Sequence, residues 1–98
     1  MGREYRWMSY ESAAKYLPEA KAAKVSEVAR SKRGFMGQYR GKTVAQMRAL
    51  PVRHYKQTWG QRRHNFIKRH LAQYDKKKTY RRWLALIMWA YMPGPRPA

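Results

Sequence analysis

The sequence predicts an all-α protein, a small open helical shape built on a C-terminal αα-hairpin with short helices upstream. Three observations carry that reading. Thr43, Thr58 and Thr79 stand where a threonine hydroxyl would cap a helix, and Gln46 and Gln61 complete capping boxes after the first two. Apolar residues in the last third recur at steps of three and one, the helical spacing. No alternating run is long enough to suggest a strand.

The elements follow in order. Ser9 caps a short helix expected to run through Leu17, and Pro18 suits the first turn of a second. Residues 18–31, rich in Ala, Lys and Glu, read as one helix with Ala22, Val25 and Ala29 on one face. Gly34 follows Lys32 and Arg33 where that helix would stop. The glycine-rich stretch 34–42 reads as loop or broken helix. Thr43 then opens a helix over 44–50, which Pro51 ends, and Thr58 opens a longer one over 59–74. Along the longer helix Trp59, Phe66, Ile67, His70, Leu71 and Tyr74 share a face, while Arg62, Lys68, Arg69 and Gln73 fall largely elsewhere. Thr79 caps a final helix over 80–92, in which Tyr80, Trp83, Leu84, Ile87, Met88 and Tyr91 form a stripe. Leu86 and Trp89 widen that stripe, so burial on more than one side is expected. The prolines of 93–98 make an extended tail.

At 98 residues the chain has room for one small core. Its 23 Lys and Arg against 5 Asp and Glu leave a formal net charge of +18, and self-repulsion on that scale favours a protein completed by an anionic partner. The charge is uneven. Residues 1–27 are close to neutral, with five basic side chains against four glutamates, whereas 28–98 hold the other eighteen against Asp75. The chain therefore divides into a near-neutral helical segment 1–33, a basic helical module 34–92 and the tail 93–98. Absence of cysteine removes thiol chemistry and thiolate metal sites. The apolar run 83–92 is about half of what a membrane span requires. A surface-lying membrane helix fits poorly, because the apolar residues of that run go nearly all round. The opening ten residues lack the apolar centre of a secretory signal, and Arg6 stands where a Met-Gly myristoylation signal needs Ser or Thr.

The strongest chemical signal is a basic run interleaved with aromatic rings. Lys32, Arg33, Arg40, Arg62, Arg63, Lys68, Arg69, Lys76, Lys77, Lys78, Arg81 and Arg82 are the candidate polyanion contacts, within a run that also includes Lys42, Arg48, Arg53 and Lys56. Arg81 and Arg82, in the first turn of the last helix, are placed to bond phosphate beside its positive end. Trp83, Leu84, Ile87, Met88, Trp89 and Tyr91 are the candidate anchor to protein neighbours. Most aromatic residues fall on apolar stripes and read as core, with Tyr39 and Tyr55 the rings expected to be exposed. His64-Asn65 with His70 superficially suggests a His-Asn-His nuclease, but the histidines are six apart on one helix with Asp75 the sole nearby carboxylate. No paired carboxylates, phosphate loop or other catalytic grouping is present, so neither an enzyme nor a cofactor is expected.

Ser31-Lys32-Arg33-Gly34-Phe35 with Tyr39-Arg40, then Arg62 with Phe66 and Arg69-His70-Leu71-Ala72-Gln73, then Arg81-Arg82 before the apolar run to Tyr91, resembles a small basic module of large double-stranded DNA viruses and tailed phages. The chain departs from that pattern between Gly41 and Gln61. The resemblance implies a virion or viral-genome setting. The expected function is thus a non-enzymatic structural component of a virion, a minor capsid or genome-associated protein. Its partners would be nucleic-acid backbone or acidic protein surfaces, together with other proteins of a large assembly, without a small-molecule substrate. Two alternatives share the composition: a small ribosomal RNA-binding protein, organellar or cytoplasmic, and a small DNA-binding regulator reading a groove with a helix–turn–helix in 43–74.

Overall fold

The computed structural model describes residues 4–97, so Met1, Gly2, Arg3 and Ala98 lie outside the described residues. With them lie the Met-Gly start and the last residue of the tail. The fold is all-α. Among the described residues seven helices occur, in the order α1 (Tyr10–Ala14), α2 (Leu17–Ala22), α3 (Glu27–Arg30), α4 (Phe35–Tyr39), α5 (Val44–Ala49), α6 (Trp59–Lys76) and α7 (Tyr80–Ile87). Among the described residues the β structure is an isolated antiparallel bridge between Pro51 and Thr58. No described helix is long and apolar enough to cross a membrane.

The capping signals act as expected. Ser9 accepts from the Ser12 N–H, and Thr43 and Thr58 each form both halves of a capping box. Thr79 accepts from the Arg82 N–H. Each cap satisfies a helix N–H that has no partner within the helix.

Departures from the expected elements have local causes. The helix expected over 18–31 is split, because Lys24 and Ser26 turn left-handed at φ 56° and 51°. The turn delivers Val25 and Ala29 to the core but leaves Ala22 exposed. It also frees carbonyls at Ala23, Lys24 and Val25, which Arg81 and Arg30 take up from their side chains. In the expected loop 34–42, Phe35–Tyr39 is helical. Gly34 and Gly37 are needed there for space: a Cβ at either would fall about 2 Å from the carbonyl oxygen of Val28 or Lys32. The last helix stops at Ile87, not 92. Tyr91 donates to the Leu86 carbonyl across a left-handed Ala90 (φ 58°), a tight helix ending.

The molecule measures 36 × 32 × 22 Å with a radius of gyration of 12.7 Å, close to the ~13 Å of a globular chain of this length. The shape is closed, and the openness expected from the charge does not occur. Residues from both sides of position 33 share one core: Ala13, Ala20, Val25 and Ala29 pack in the same cluster as Phe35, Met47, Ile67 and Leu84. Trp89 lies at its centre, stacked on Phe66 at 4.5 Å between ring centroids and 5.1 Å from Phe35. Trp7, from the segment before α1, closes the other side of Phe35 at 5.7 Å.

The expected protein anchor is spent internally. Trp83, Leu84, Ile87, Met88 and Trp89 are all buried in this core, and Tyr91 is partly covered. Burying an apolar side chain is worth about 1.5–3 kcal/mol whether the neighbour is self or partner, and here the N-terminal helices supply the neighbour. The tail lies back on α7, with the Trp83 indole N–H donating to the Gly94 carbonyl at 3.0 Å and Arg96 over the Tyr80 ring at 4.2 Å.

Candidate nucleic-acid interface

The expected polyanion contacts fall into three groups. Arg63 forms the first, and it is a correction. It is 1% exposed, so it cannot meet a phosphate. Its guanidinium donates to the carbonyls of Trp89 (2.7 Å), Tyr5 (2.9 Å), Ala90 (3.0 Å) and Arg6 (3.1 Å), and lies over the Trp7 ring at 4.0 Å. The fork of Arg63 thereby ties the segment before α1 to the turn after α7. Burial pushes this guanidinium down to about 10, and it remains charged at neutral pH.

Arg81 and Arg82 form the second group. Both use N–H donors on backbone carbonyls at helix C-termini: Arg81 on Ala23 and Lys24 after α2, Arg82 on Gln73 and Lys77 at the end of α6. Positive charge at those ends is favourable. Phosphate contact from these two would compete with capping, so they are placed differently from what the sequence suggests.

The third group is free at the surface. Lys32, Arg33, Arg40, Lys68, Arg69, Lys76, Lys77 and Lys78 are exposed, and no ion pair holds any of them among the described residues. The ion pair present joins Arg48 to Glu4, with two N–H···O contacts of 2.7 Å. Hydrogen bonding to Arg48 holds the Glu4 carboxyl below its usual range. Arg69 also lies over the Phe66 ring at 4.7 Å.

Arg62 is half-buried and has a more built setting than the third group. Its guanidinium lies 4.9 Å from the Tyr55 ring centroid, 5.5 Å from Phe66 and 5.8 Å from Trp59. Its Nε is buried without a hydrogen-bond partner. It borders a cleft of about 490 Å³, whose walls come from α3, the start of α4, α6 and the loop 52–57. Hydrogen bonds from Val52 N–H to the Gln57 carbonyl (2.9 Å) and from Trp59 N–H to Leu50 (2.8 Å) pinch the base of that loop. Its tip presents Arg53, His54 (φ 69°) and Tyr55. Two larger clefts each include a carboxylate, Glu4 in one and Glu27 in the other. The cleft beside Arg62 has Arg33, Arg53 and Arg62 on its walls and no carboxylate.

Sequence reasoning singled out Arg33 and Arg62 but placed Arg53 only in the general basic run and left His54 unused. The available signal was a short polar stretch between Pro51 and the Thr58 cap, a loop that carries function when a scaffold holds its ends. Tyr39, expected exposed, is buried and donates to the Met8 carbonyl at 2.7 Å. His64 packs against Tyr5 at 5.0 Å and His70 against Phe66 at 5.8 Å. No three His, Asp or Glu side chains come together as a metal site among the described residues.

Comparison with protein families, curated proteins and solved structures finds no match to this chain.

Proposed function

We propose that this chain is a non-enzymatic structural protein of a nucleoprotein assembly, holding nucleic acid by its phosphate backbone without regard to sequence. One observation carries the reading: 23 Lys and Arg face 5 carboxylates, and a single ion pair forms among the described residues. A cation without an internal counter-charge is available to neutralise a phosphate, and the counterions thereby released from the nucleic acid drive association. Exposed basic residues occur on the α3–α4 connection, at Arg40 after α4, in the loop 52–57, on α6 and on the lysine turn after α6, so the charge is distributed over a closed body. No grouping of side chains there supplies a base-reading pattern, which favours backbone contact over groove readout. By the sequence resemblance, the assembly is a virion and the chain a minor capsid or genome-associated protein of it.

Fluorescence anisotropy with two duplexes of unrelated sequence tests this reading. The two affinities should agree within about threefold, because phosphate contacts carry no sequence information. A preference of ~10³ or more for one duplex would make the chain a regulator. Binding to polyglutamate alone, with both duplexes ignored, would assign the charge to an acidic protein partner.

A further inference from the structure

Of the fourteen aromatic residues, Tyr55 alone is exposed. Its side chain is 58% accessible, at the tip of a loop whose base is pinched by backbone hydrogen bonds. One face of the ring is backed by the Arg62 guanidinium at 4.9 Å. The exposure of Tyr55 leaves ring surface for a flat partner. Exposing a large ring costs hydration free energy, and the flanking residues Arg53, His54 and Lys56 give a coat-protein core no apolar continuation. Val28, 59% exposed, also lines the cleft. Arg33, Arg53 and Arg62 border the same space with no carboxylate among its lining residues.

We infer that this cleft takes an unpaired nucleotide, its base stacked on Tyr55 and its flanking phosphates held by Arg33 and Arg53. The inference rests on the nucleic-acid reading above and adds to its backbone contacts a site that takes single strands. A base within a duplex offers its edges, not its faces, so a lone exposed tyrosine gains nothing from paired DNA or RNA. Stacking on an aromatic platform is insensitive to base identity, in keeping with a site that has three arginines and no base-reading pair. Arg62 serves as the positioning residue. It holds the ring by cation–π attraction, and its Nε is buried without a hydrogen-bond partner. The cleft volume of about 490 Å³ falls within the range of small-ligand sites.

The test compares three probes of about ten nucleotides: a single strand, the same strand with abasic sugars, and a duplex. Wild-type protein should bind the single strand more tightly than its abasic form. Tyr55→Ala should weaken single-strand binding by about 5- to 150-fold and leave duplex binding within about twofold. Tyr55→Phe keeps the ring and should restore single-strand affinity, a rescue that loss of folding would not allow. Equal binding of the abasic and base-bearing strands would overturn the inference, as would a Tyr55→Ala loss shared equally by duplex and single strand. If no probe binds at all, the nucleic-acid reading itself fails, an outcome distinct from either of these.

Discussion

Arg63 stands four residues after Trp59 and four before Ile67, and that spacing puts all three on the buried side of α6. A charge there is tolerated because four carbonyl oxygens surround it. Removing the guanidinium leaves buried acceptors unmade, each costing about 1–3 kcal/mol. Arg63→Met should therefore destabilise the protein by about 3 kcal/mol or more, read as a fall in the urea midpoint. Arg63→Lys should recover little, because an ammonium cannot span the fork. A change under about 0.5 kcal/mol in Arg63→Met would return this side chain to the solvated surface. His70 gives a second prediction at this scale. Burial, then the neighbouring Arg69 charge, holds its imidazole below the ordinary range. The folded protein therefore takes up this proton at lower pH than the unfolded chain does. The associated stability is complete above the unfolded value of about 6.5 and is lost as pH falls from there through the folded pKa. His70→Gln should flatten the decline in urea midpoint between about pH 7 and about pH 5.5; an unchanged decline would contradict the assignment.

The helices were legible where local chemistry decides them. Thr43, Thr58 and Thr79 mark three starts because a cap needs only its own residue and the next turn. The hairpin of α6 and α7 followed from its apolar spacing, extended at α6 to Lys76. The split between α2 and α3 was not legible, since Lys24 and Ser26 are ordinary helix residues forced left-handed by distant packing. The compensation comes from Arg81, more than fifty residues away, whose guanidinium donates to the freed carbonyls of Ala23 and Lys24. The end of α7 at Ile87 was hidden for a similar reason. Ala90 has no propensity for φ 58°. Its carbonyl receives both the Met8 N–H at 2.7 Å and Arg63, long-range bonds that no local pattern encodes. The candidate site was half legible. Arg33 and Arg62 stood out as basic, whereas the loop 52–57 acquires meaning only when its pinched base sets Tyr55 against Arg62.

At the scale of the molecule, the excess charge does not prevent closure. The aromatic core around Trp89 and the buried fork of Arg63 gather the N-terminal segment and the last turn into one body. The apolar helix expected to anchor a neighbour is consumed in this closure, so the remaining surface is basic and polar, with Val28, Tyr55 and Met92 as the exposed large apolar side chains among the described residues. If the chain holds nucleic acid as proposed, each phosphate it neutralises releases condensed counterions, and that release has a thermodynamic signature independent of any single residue. The decisive measurement is the affinity for duplex nucleic acid over a range of salt. If about six phosphates are neutralised, log K should fall against log salt with a slope of about −5. A flat response would contradict the account, because it would mean that the exposed lysines and arginines do not meet phosphate.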